Sequence, residues 1–360
     1  MSAEAKVRLA LPGKGALETT TLNFLAECGL KVNRSNPRQY LARIKSMPDI
    51  EVVFQRAADI PLLVQSGDAT LGITGYDILA EHRGYGDELD EDDGIDEDLM
   101  VLERDLGYGA CQLVVAVPET WIDVSNCADL WHLSGYYLAH RGRGLRIATK
   151  YPILTGEFLR KHSITHCKIF SPHGALEAAP LTDTADLIVD LTETGTTLRE
   201  NRLKLIKDGV VLRSQSCLIA NGRQLVQDQY ALKAAETILE LIEARTQARD
   251  RSILTAQVQV ESHETIQRIS DELQQHLKTL TSHAELRIST SEVATSVSPG
   301  WYTISGVVRV GGSAPELLET VAMLRSIGAT HISITPLTYR FAETSTNVHG
   351  LHERLKRVMH

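Results

Sequence analysis

Residues 185–203 read ADLIVDLTETGTTLRENRL. A short apolar run, Leu187–Val189, has the composition of a buried strand and ends in Asp190. A turn rich in hydroxyl residues follows around Gly195, and a helical pattern begins at about Leu198. This order of strand, turn and helix predicts one unit of an α/β sheet, with a loop of unusual polarity at the end of its strand.

The composition of this loop suggests a phosphate site. Backbone N–H groups at a helix N-terminus are unpaired and carry partial positive charge. Gly195 would let a phosphate approach the backbone without meeting a Cβ atom. Three hydroxyls add donors, and they belong to Thr194, Thr196 and Thr197. These features favour a phosphate monoester. The competing interpretation is a helix that follows a strand and is merely capped by its threonines.

Carboxylates flank the same loop. Asp190, with Thr192 or Glu193 nearby, lies where the hydroxyls of a sugar attached to that phosphate would be bound. The predicted ligand is therefore a sugar phosphate, held by the loop Asp190–Thr197.

Composition narrows the class of protein. The chain has 360 residues and a formal net charge of −9, without a basic stripe, so we expect no nucleic-acid partner. No segment is apolar enough to span a membrane, and the N-terminus lacks a signal peptide, which predicts a cytoplasmic protein. The acidic run Asp87–Asp98 fails as a calcium loop because its register puts Leu89 at the first ligand position.

The cysteines and histidines indicate no metal site by their spacing. The five cysteines are scattered, which predicts reduced thiols. His162 and His166 are four residues apart, but they lack the glutamate and the clear helical context of a zinc motif.

Apolar runs and helical patterns alternate up to about Asn221, which predicts an α/β sheet. The last strand of this part is predicted at Val210–Ile219. A long helix from about Tyr230 to Arg249 follows. The C-terminal part has the ferredoxin-like order βαββαβ. Its elements are strand Leu254–Val260, helix Glu264–Leu280, strand Glu285–Thr290, strand Trp301–Val310, helix Ala314–Ile327 with Ser313 as its cap, and strand His331–Thr335.

Five stretches, in order along the chain, resemble the ATP phosphoribosyltransferase family, the first enzyme of histidine biosynthesis. They are LALPGKGAL (9–17), QRAADIPLLVQSGDATLGITGYDIL (55–79), LRIATKYP (145–152), GALEAAPLTDTADLIVDLTETGTTL (174–198) and VLRSQSCLIAN (211–221). The resemblance identifies the loop at Asp190 with the family's phosphoribosyl-pyrophosphate loop.

The resemblance implies a two-lobed α/β catalytic region like a type II periplasmic binding protein, with the active site in the cleft. We place this region at 1–225, with one lobe at about 1–105 and 192–225 and the other at about 106–191. A connecting helix then covers 226–251, an ACT-like domain 252–343 and a tail 344–360. The implied reaction joins N1 of the adenine of ATP to C1 of phosphoribosyl pyrophosphate, with Mg²⁺ carried by the substrates, in a hexamer.

The resemblance also implies an ATP site. The candidates are Lys14, Gly15, Arg56, Asp77, Tyr108 and Glu177, and the two cations among them are also the catalytic candidates. Each has a plainer interpretation. Lys14 and Arg56 are then solvated charges, Asp77 and Glu177 helix-turn carboxylates, and Tyr108 part of the core. The lysine does not belong to a Walker A loop, because the spacing is wrong.

The C-terminal domain resembles the family's regulatory domain in SVSPG (296–300) and SIGATHISITPL (326–337). By resemblance it binds histidine as an inhibitor, in a long form that needs no separate regulatory subunit. The candidate contacts are Ser296, Ser298, Ala329, Thr330 and Ser333. Two other hypotheses remain: a non-catalytic binding or sensor protein on the same scaffold, and a catalytic subunit that depends on a partner.

Overall fold

The structure is a computed structural model. It describes residues 7–36, 38–84, 97–172, 175–259, 264–265, 268–269, 271, 288–292, 301–309 and 314–358. The chain divides into two compact units. The first comprises Met1–Leu239 and Thr346–His360, and the second comprises Glu240–Ser345. Over the described residues, no helix is both long enough and apolar enough to cross a membrane.

The first lobe of the first unit is built on a seven-stranded sheet with the order β2-β3-β4-β1-β5-β12-β6. β1 is parallel to β4 and β5, whereas β12 runs antiparallel to β5 and β6. The strands are β1 Val7–Pro12, β2 Val32–Asn33, β3 Leu41–Ile44, β4 Met47–Gln55, β5 Leu71–Gly75, β6 Met100–Glu103 and β12 Ser216–Ala220. The helices of this lobe are α1 Ala16–Glu27, α2 Ile60–Gln65 and α3 Tyr76–Arg83.

The second lobe is built on a five-stranded sheet with the order β11-β7-β10-β8-β9. Its strands are β7 Cys111–Pro118, β8 Leu145–Thr149, β9 Cys167–Phe170, β10 Leu187–Thr192 and β11 Leu203–Ser214. Its helices are α4 Cys127–Arg141, α5 Pro152–Lys161 and α6 Thr196–Glu200. The two sheets confirm the predicted two-lobed α/β architecture, and the central strands of both are buried.

The predicted boundary of the second lobe is wrong. We expected the chain to return to the first lobe at about residue 192, but β11 pairs with β7 in the second sheet. The predicted strand Val210–Ile219 is in fact two strands: β11 ends at Ser214, and β12 begins at Ser216 in the first sheet. Both strands are rich in apolar residues because both contribute to a buried core. Hydrophobicity alone therefore cannot show that the chain changes sheets between them.

The second unit contains a four-stranded antiparallel sheet with the order β14-β15-β13-β16. Its strands are β13 Arg251–Gln259, β14 Ile288–Glu292, β15 Trp301–Arg309 and β16 Thr330–Pro336, and its described helix α9 covers Ala314–Ser326. This order confirms the predicted ferredoxin-like topology. Of the predicted helix Glu264–Leu280, residues 264–265, 268–269 and 271 are helical. The predicted cap Ser313 and residues 87–96 of the acidic run lie outside the described residues.

The tail belongs to the first unit. α7 Gly222–Gln227 lies in the first unit, α8 Gln229–Ala248 crosses into the second unit at Glu240, and the last described helix is α10 Thr346–Val358. α10 contacts α7 and β6 and buries Leu351 and Leu355. Arg354 donates a hydrogen bond to the carbonyl of Leu102 over 3.1 Å. The amphipathic pattern predicted a short helix here, but it did not predict where the helix would pack.

We predict that Leu351→Ala loosens the edge of the first sheet. Removal of a fully buried leucine side chain costs about 2–5 kcal/mol, and Leu351 is 0% exposed. Hydrogen exchange, followed by mass spectrometry on peptides that cover β6, should become faster. His349→Ala, an exposed position on the same helix, is the control. Equal exchange in the two variants would mean that α10 does not support β6.

Candidate active site

A cleft of about 520 Å³ lies within the first unit, and residues from both lobes line it. Its wall contains Asp77 from the first lobe and Tyr151 from the second, together with Thr192 and Glu193 at the end of β10. The carboxyl ends of parallel strands collect at one edge of a sheet, which is where ligands bind in α/β proteins. The cleft is therefore the candidate site.

The loop after β10 is held by its own hydroxyls. The N–H of Gly195 donates to Oγ1 of Thr192 over 2.8 Å, and the hydroxyls of Thr194 and Thr196 are 3.0 Å apart. Gly195 has φ = 74°, a conformation that side chains disfavour. Apart from its two chain neighbours, a Cβ atom built on it would meet no atom within 4 Å, although Gly195 itself is buried. The side of the glycine on which a Cβ atom would stand is therefore unoccupied.

The helix that follows the loop is shorter than the pattern predicted. α6 has five residues, Thr196–Glu200, which is little more than one turn. A macrodipole is the sum of aligned peptide dipoles, so a single turn supplies little of it. Any anion here would rely on local N–H groups and on exposed hydroxyls such as that of Thr197.

Asp190 lies half-buried on β10 beside two charged residues. Its Oδ1 accepts the N–H of Leu191 over 2.8 Å. Burial raises the pKa of Asp190, the Leu191 N–H lowers it, the charge of Glu177 raises it further, and Lys150 lowers it. Glu177 therefore lies near Asp190, in the second lobe. Lys150 follows β8 in the quoted stretch LRIATKYP, but sequence reasoning missed it because one lysine after a strand is an ordinary surface residue.

β10 is also anchored at its start. Asp186 is 6% exposed. It accepts hydrogen bonds from Arg143 over 2.9 Å and from Arg146 over 3.0 Å. Although burial opposes the charge, these two guanidinium groups hold the pKa of Asp186 below its usual range. The strand that leads into the loop is thus fixed before it reaches Asp190.

Asp77 joins the two lobes. It lies in the first turn of α3 with 4% of its surface exposed. Its Oδ1 accepts the hydroxyl of Ser214, and its Oδ2 accepts the hydroxyl of Tyr151, both over 2.6 Å. The backbone N–H of Asp77 also donates to Oγ of Ser214 over 2.8 Å. Sequence reasoning selected Asp77 but neither of its partners.

The first-lobe cations follow two neighbouring strands. β1 and β4 are parallel, and Pro12 pairs with Gln55 at their carboxyl ends. Lys14 and Arg56 come directly after these strands, and both are exposed. Gly15 has φ = 81° and precedes α1. The structure therefore brings these three residues to one edge of the first sheet.

Tyr108 occupies a packing position. Its hydroxyl donates to Oγ1 of Thr21 over 3.0 Å, and its ring lies 5.0 Å from that of Phe24 on α1. Burial raises the pKa of this phenol to about 12. Of the predicted substrate-site residues, Asp77, Thr192 and Glu193 line the cleft. Tyr108 does not line it, and the same holds for Lys14, Gly15, Arg56, Glu177, Asp190 and residues 194–197.

A second cavity, of about 430 Å³, lies in the second unit. Ala329 and Thr330 line it, together with Arg325 of α9 and His331. Ser333 pairs with Thr255 in the sheet and is not among the lining residues. Ser296 and Ser298 lie outside the described residues. Two of the five predicted histidine contacts therefore share this cavity.

The fold and the cleft define a two-lobed α/β protein of the periplasmic-binding-protein-like class, extended by a ferredoxin-like unit. Its sequence is more specific. The family described as "HisG: ATP phosphoribosyltransferase" matches residues 56–244. The chain is 36% identical over 341 residues to ATP phosphoribosyltransferase 2, chloroplastic, of Arabidopsis thaliana. The aligned region covers 94% of this chain and 78% of that protein. The chain belongs to the ATP phosphoribosyltransferase family, a family of pentosyltransferase enzymes.

Another named relative agrees. The chain is 42% identical over 219 residues to the ATP phosphoribosyltransferase of Brucella melitensis. The aligned region covers 60% of this chain and 90% of that protein. Among solved structures, the ATP phosphoribosyl transferase (HisG:HisZ) complex of Thermotoga maritima matches with 26% identity. Its TM-score is 0.47, with coverage of 66% of this chain and 98% of that one. Because the Arabidopsis relatives are named as chloroplastic, a cytoplasmic location stays a prediction.

We predict an energetic coupling between Tyr151 and Asp77. A hydrogen bond to a charged group contributes about 1.5–3 kcal/mol. A double-mutant cycle with Tyr151→Phe and Asp77→Asn, measured by chemical denaturation, should give a coupling energy of that order. Tyr136→Phe is the control, since Tyr136 is 53% exposed. A coupling energy within error of zero would show that the two lobes are not joined by this bond.

Proposed function

We propose that the loop Asp190–Thr197 binds the 5-phosphate of phosphoribosyl pyrophosphate, and that ATP is the acceptor. The observation that carries this proposal is the unoccupied Cβ position of Gly195, in a loop that follows a strand whose last residues line the cleft. The phosphate would receive hydrogen bonds from backbone N–H groups and from the hydroxyls of Thr194, Thr196 and Thr197.

Asp190 and Glu177 would bind the ribose hydroxyls of the donor. A half-buried carboxylate loses hydration, which its raised pKa reflects, and hydroxyl donors of a bound sugar would restore the lost hydrogen bonds. In this arrangement Glu177 belongs to the donor site rather than to the ATP site. Lys150, whose charge acts on Asp190, would lie near the same ligand.

ATP would occupy the first-lobe side of the cleft. Lys14, Gly15 and Arg56 stand at the carboxyl edge of β1 and β4, and exposed cations at such an edge suit a triphosphate. The carboxylate oxygens of Asp77 already accept two hydroxyls. We therefore assign Asp77 a positioning role, in which it holds the two lobes at the distance that both substrates require.

The chemistry needs orientation and charge stabilisation more than it needs a base. The lone pair of adenine N1 attacks C1 of the ribose, the bond from C1 to pyrophosphate breaks, and pyrophosphate leaves with the electron pair. Positive charge develops at C1 while negative charge grows on the leaving group. Lys14 and Arg56 would stabilise that negative charge, and a cleft that orients the two substrates would contribute most of the remaining rate.

Mg²⁺ would enter as part of the substrates. Bound to their phosphates, it supplies charge neutralisation of the leaving pyrophosphate. The side chains proposed for this site fit a hard cation of this kind, because Asp190, Glu177 and Glu193 offer carboxylate oxygens as ligands. These residues would orient the magnesium-bound donor through direct or water-mediated contacts.

The alternative is a binding or sensor protein that lacks the reaction. Family membership argues against it. The decisive assay incubates the full chain with ATP, phosphoribosyl pyrophosphate and Mg²⁺ and detects phosphoribosyl-ATP. A partner-dependent subunit would be inactive alone in this assay, so activity of the purified chain also separates the third hypothesis.

We predict that Gly195→Val abolishes donor binding, because its methyl groups would fill the phosphate's approach. Gly142→Val is a matched control. Gly142 also has a positive φ, of 64°, and a Cβ atom there would likewise meet nothing within 4 Å. Backbone strain of about 1–2 kcal/mol should therefore be similar in both variants. Calorimetric titration with phosphoribosyl pyrophosphate should lose its signal only in Gly195→Val. Unchanged affinity in that variant would refute the loop assignment.

We further propose that histidine inhibits the enzyme by binding in the cavity of the second unit. Arg325 offers a guanidinium for the ligand's carboxylate, and Thr330 offers a hydroxyl. The hexamer implied by the resemblance would then provide the assembly on which such regulation acts. Inhibition requires that histidine binding and substrate binding be coupled in both directions.

Arg325→Ala should weaken inhibition by histidine roughly tenfold or more, because a charge-assisted hydrogen bond contributes about 1.5–3 kcal/mol. Activity without histidine should be unchanged. Arg268→Ala, at an exposed arginine of the same unit that does not line the cavity, is the control. Truncation after Arg251 is a poor test, because it would also remove α10 from the first unit. If both variants are inhibited like the parent chain, histidine binds elsewhere.

A further inference from the structure

The second lobe contains a cluster of metal-ligating side chains to which the proposed function assigns no role. Cys127, His162 and Asp208 bring their candidate ligand atoms within 4.8 Å of one another. Cys127 begins α4, His162 directly follows α5, and Asp208 lies in β11. None of the three lines the cleft described above.

One ring nitrogen of His162, Nδ1, faces a backbone carbonyl, so a metal ion would bind the other nitrogen, Nε2. Its Nδ1 lies 3.0 Å from the carbonyl oxygen of Phe158. A carbonyl can only accept, so in the neutral ring Nδ1 carries the hydrogen and Nε2 keeps its lone pair. The ring also lies against that of Phe158, with 4.2 Å between centroids and 35° between the ring planes. Metal-binding histidines are commonly fixed in this way, by a backbone carbonyl on the other ring nitrogen.

Asp208 is directed at the same point by an irregularity in β11. The pairing of β11 with β7 shifts register between Leu205 and Val210. Gly209 is required there, because a Cβ atom would lie 2.4 Å from Cγ1 of Ile206. Such bulges redirect side chains. Oδ1 of Asp208 accepts the N–H of Cys127 over 2.7 Å, and Sγ of Cys127 lies 3.5 Å from the carbonyl oxygen of Asp208.

We propose that Cys127, His162 and Asp208 form a site for a borderline-soft divalent metal ion, of which Zn²⁺ is the best fit. Sulfur, imidazole and carboxylate ligands together suit Zn²⁺, whereas Mg²⁺ selects oxygen alone. Ligands in a tetrahedral zinc site are about 3.5 Å apart, so a small contraction of the cluster would complete three corners. Water would take the fourth, since Asp208 is exposed.

The site would tie together three elements that are distant in sequence. α4, α5 and β11 contribute one ligand each, so the metal would stabilise the second lobe rather than take part in catalysis. As the sulfur–metal bond forms, the thiol proton leaves to solvent. One proton per chain should therefore be released on binding.

The competing interpretation is a cluster joined only by hydrogen bonds. Spacing along the sequence cannot separate the two interpretations, and it led us to expect no zinc site at His162 and His166. His166 is exposed and is not part of the cluster, while the actual neighbours of His162 are 35 residues before it and 46 residues after it, as their numbers 127 and 208 show.

The test is a titration of the full-length chain, freed of metal by a chelator, with Co²⁺ as a spectroscopic probe for Zn²⁺. We expect one Co²⁺ per chain, a thiolate-to-cobalt charge-transfer absorption, and displacement by Zn²⁺. Cys127→Ser should lose the charge-transfer absorption. His162→Gln and Asp208→Asn should weaken binding at least tenfold. Zn²⁺ should raise the Tm of the parent chain but not that of His162→Gln.

Two controls use neighbouring residues of the same types. Cys167→Ser, at a half-buried cysteine of β9, and His166→Gln should both bind like the parent chain. If Cys127→Ser does not fold, His162→Gln and Asp208→Asn decide, because neither residue is fully buried. The proposal is overturned if the parent chain binds no stoichiometric Co²⁺, if the charge-transfer absorption survives in Cys127→Ser, or if His162→Gln and Asp208→Asn bind as tightly as the controls.

Discussion

The buried carboxylate of Asp77 is the contact on which the geometry of the cleft depends. It accepts the hydroxyl of Ser214 at the end of β11 and the hydroxyl of Tyr151, which precedes α5. Two separate segments of the second lobe therefore contact the first turn of α3. Glu81, one turn further along α3, accepts the N–H groups of Ile153 and Leu154 at the start of α5. A buried carboxylate is costly without such donors. Separation of the two lobes would therefore break the bond from Tyr151 to Asp77 and the bonds from the start of α5 to Glu81, so these bonds favour the distance between the sheet edges that the structure shows.

The candidate residues for the two substrates differ in charge between the lobes, apart from Asp77, a carboxylate of the first lobe that lines the cleft. The second lobe contributes carboxylates, with Asp190 and Glu177 beside a single lysine. The first lobe contributes cations at the ends of β1 and β4. Each substrate of this family's reaction carries phosphates, but only the donor presents ribose hydroxyls next to the bond that breaks. Carboxylates on that side would accept the ribose hydroxyls of the donor, while the loop after β10 would bind its 5-phosphate.

How much the sequence could predict follows from the range of the interactions involved. The turn at Gly195 and the order of the second unit's elements along the chain depend on local chemistry, and the structure has both, although the helix after the turn is shorter than its pattern predicted. The split between β11 and β12 was not predicted. Ser214 and Ser216 are the same residue type, two positions apart, yet they belong to different sheets. Tyr151 and Ser214 were missed for a related reason. Their role arises from a contact with Asp77, which is 74 and 137 residues away.

The position of α10 gives the second unit an unusual covalent relation to the first. The chain leaves the first unit at Leu239 and re-enters it at Thr346, so the second unit is an insertion with both ends fixed rather than an appendage with one free end. A domain tethered at one end is linked to its neighbour by one segment of chain, whereas an inserted domain is linked by two, and a change in the distance between its ends acts on both. One junction continues α8, and the other leads into the helix that packs on β6. A ligand that prefers one conformation of the inserted unit therefore has a covalent route by which to bias the catalytic unit, and linkage requires that substrates bias the inserted unit by the same free energy.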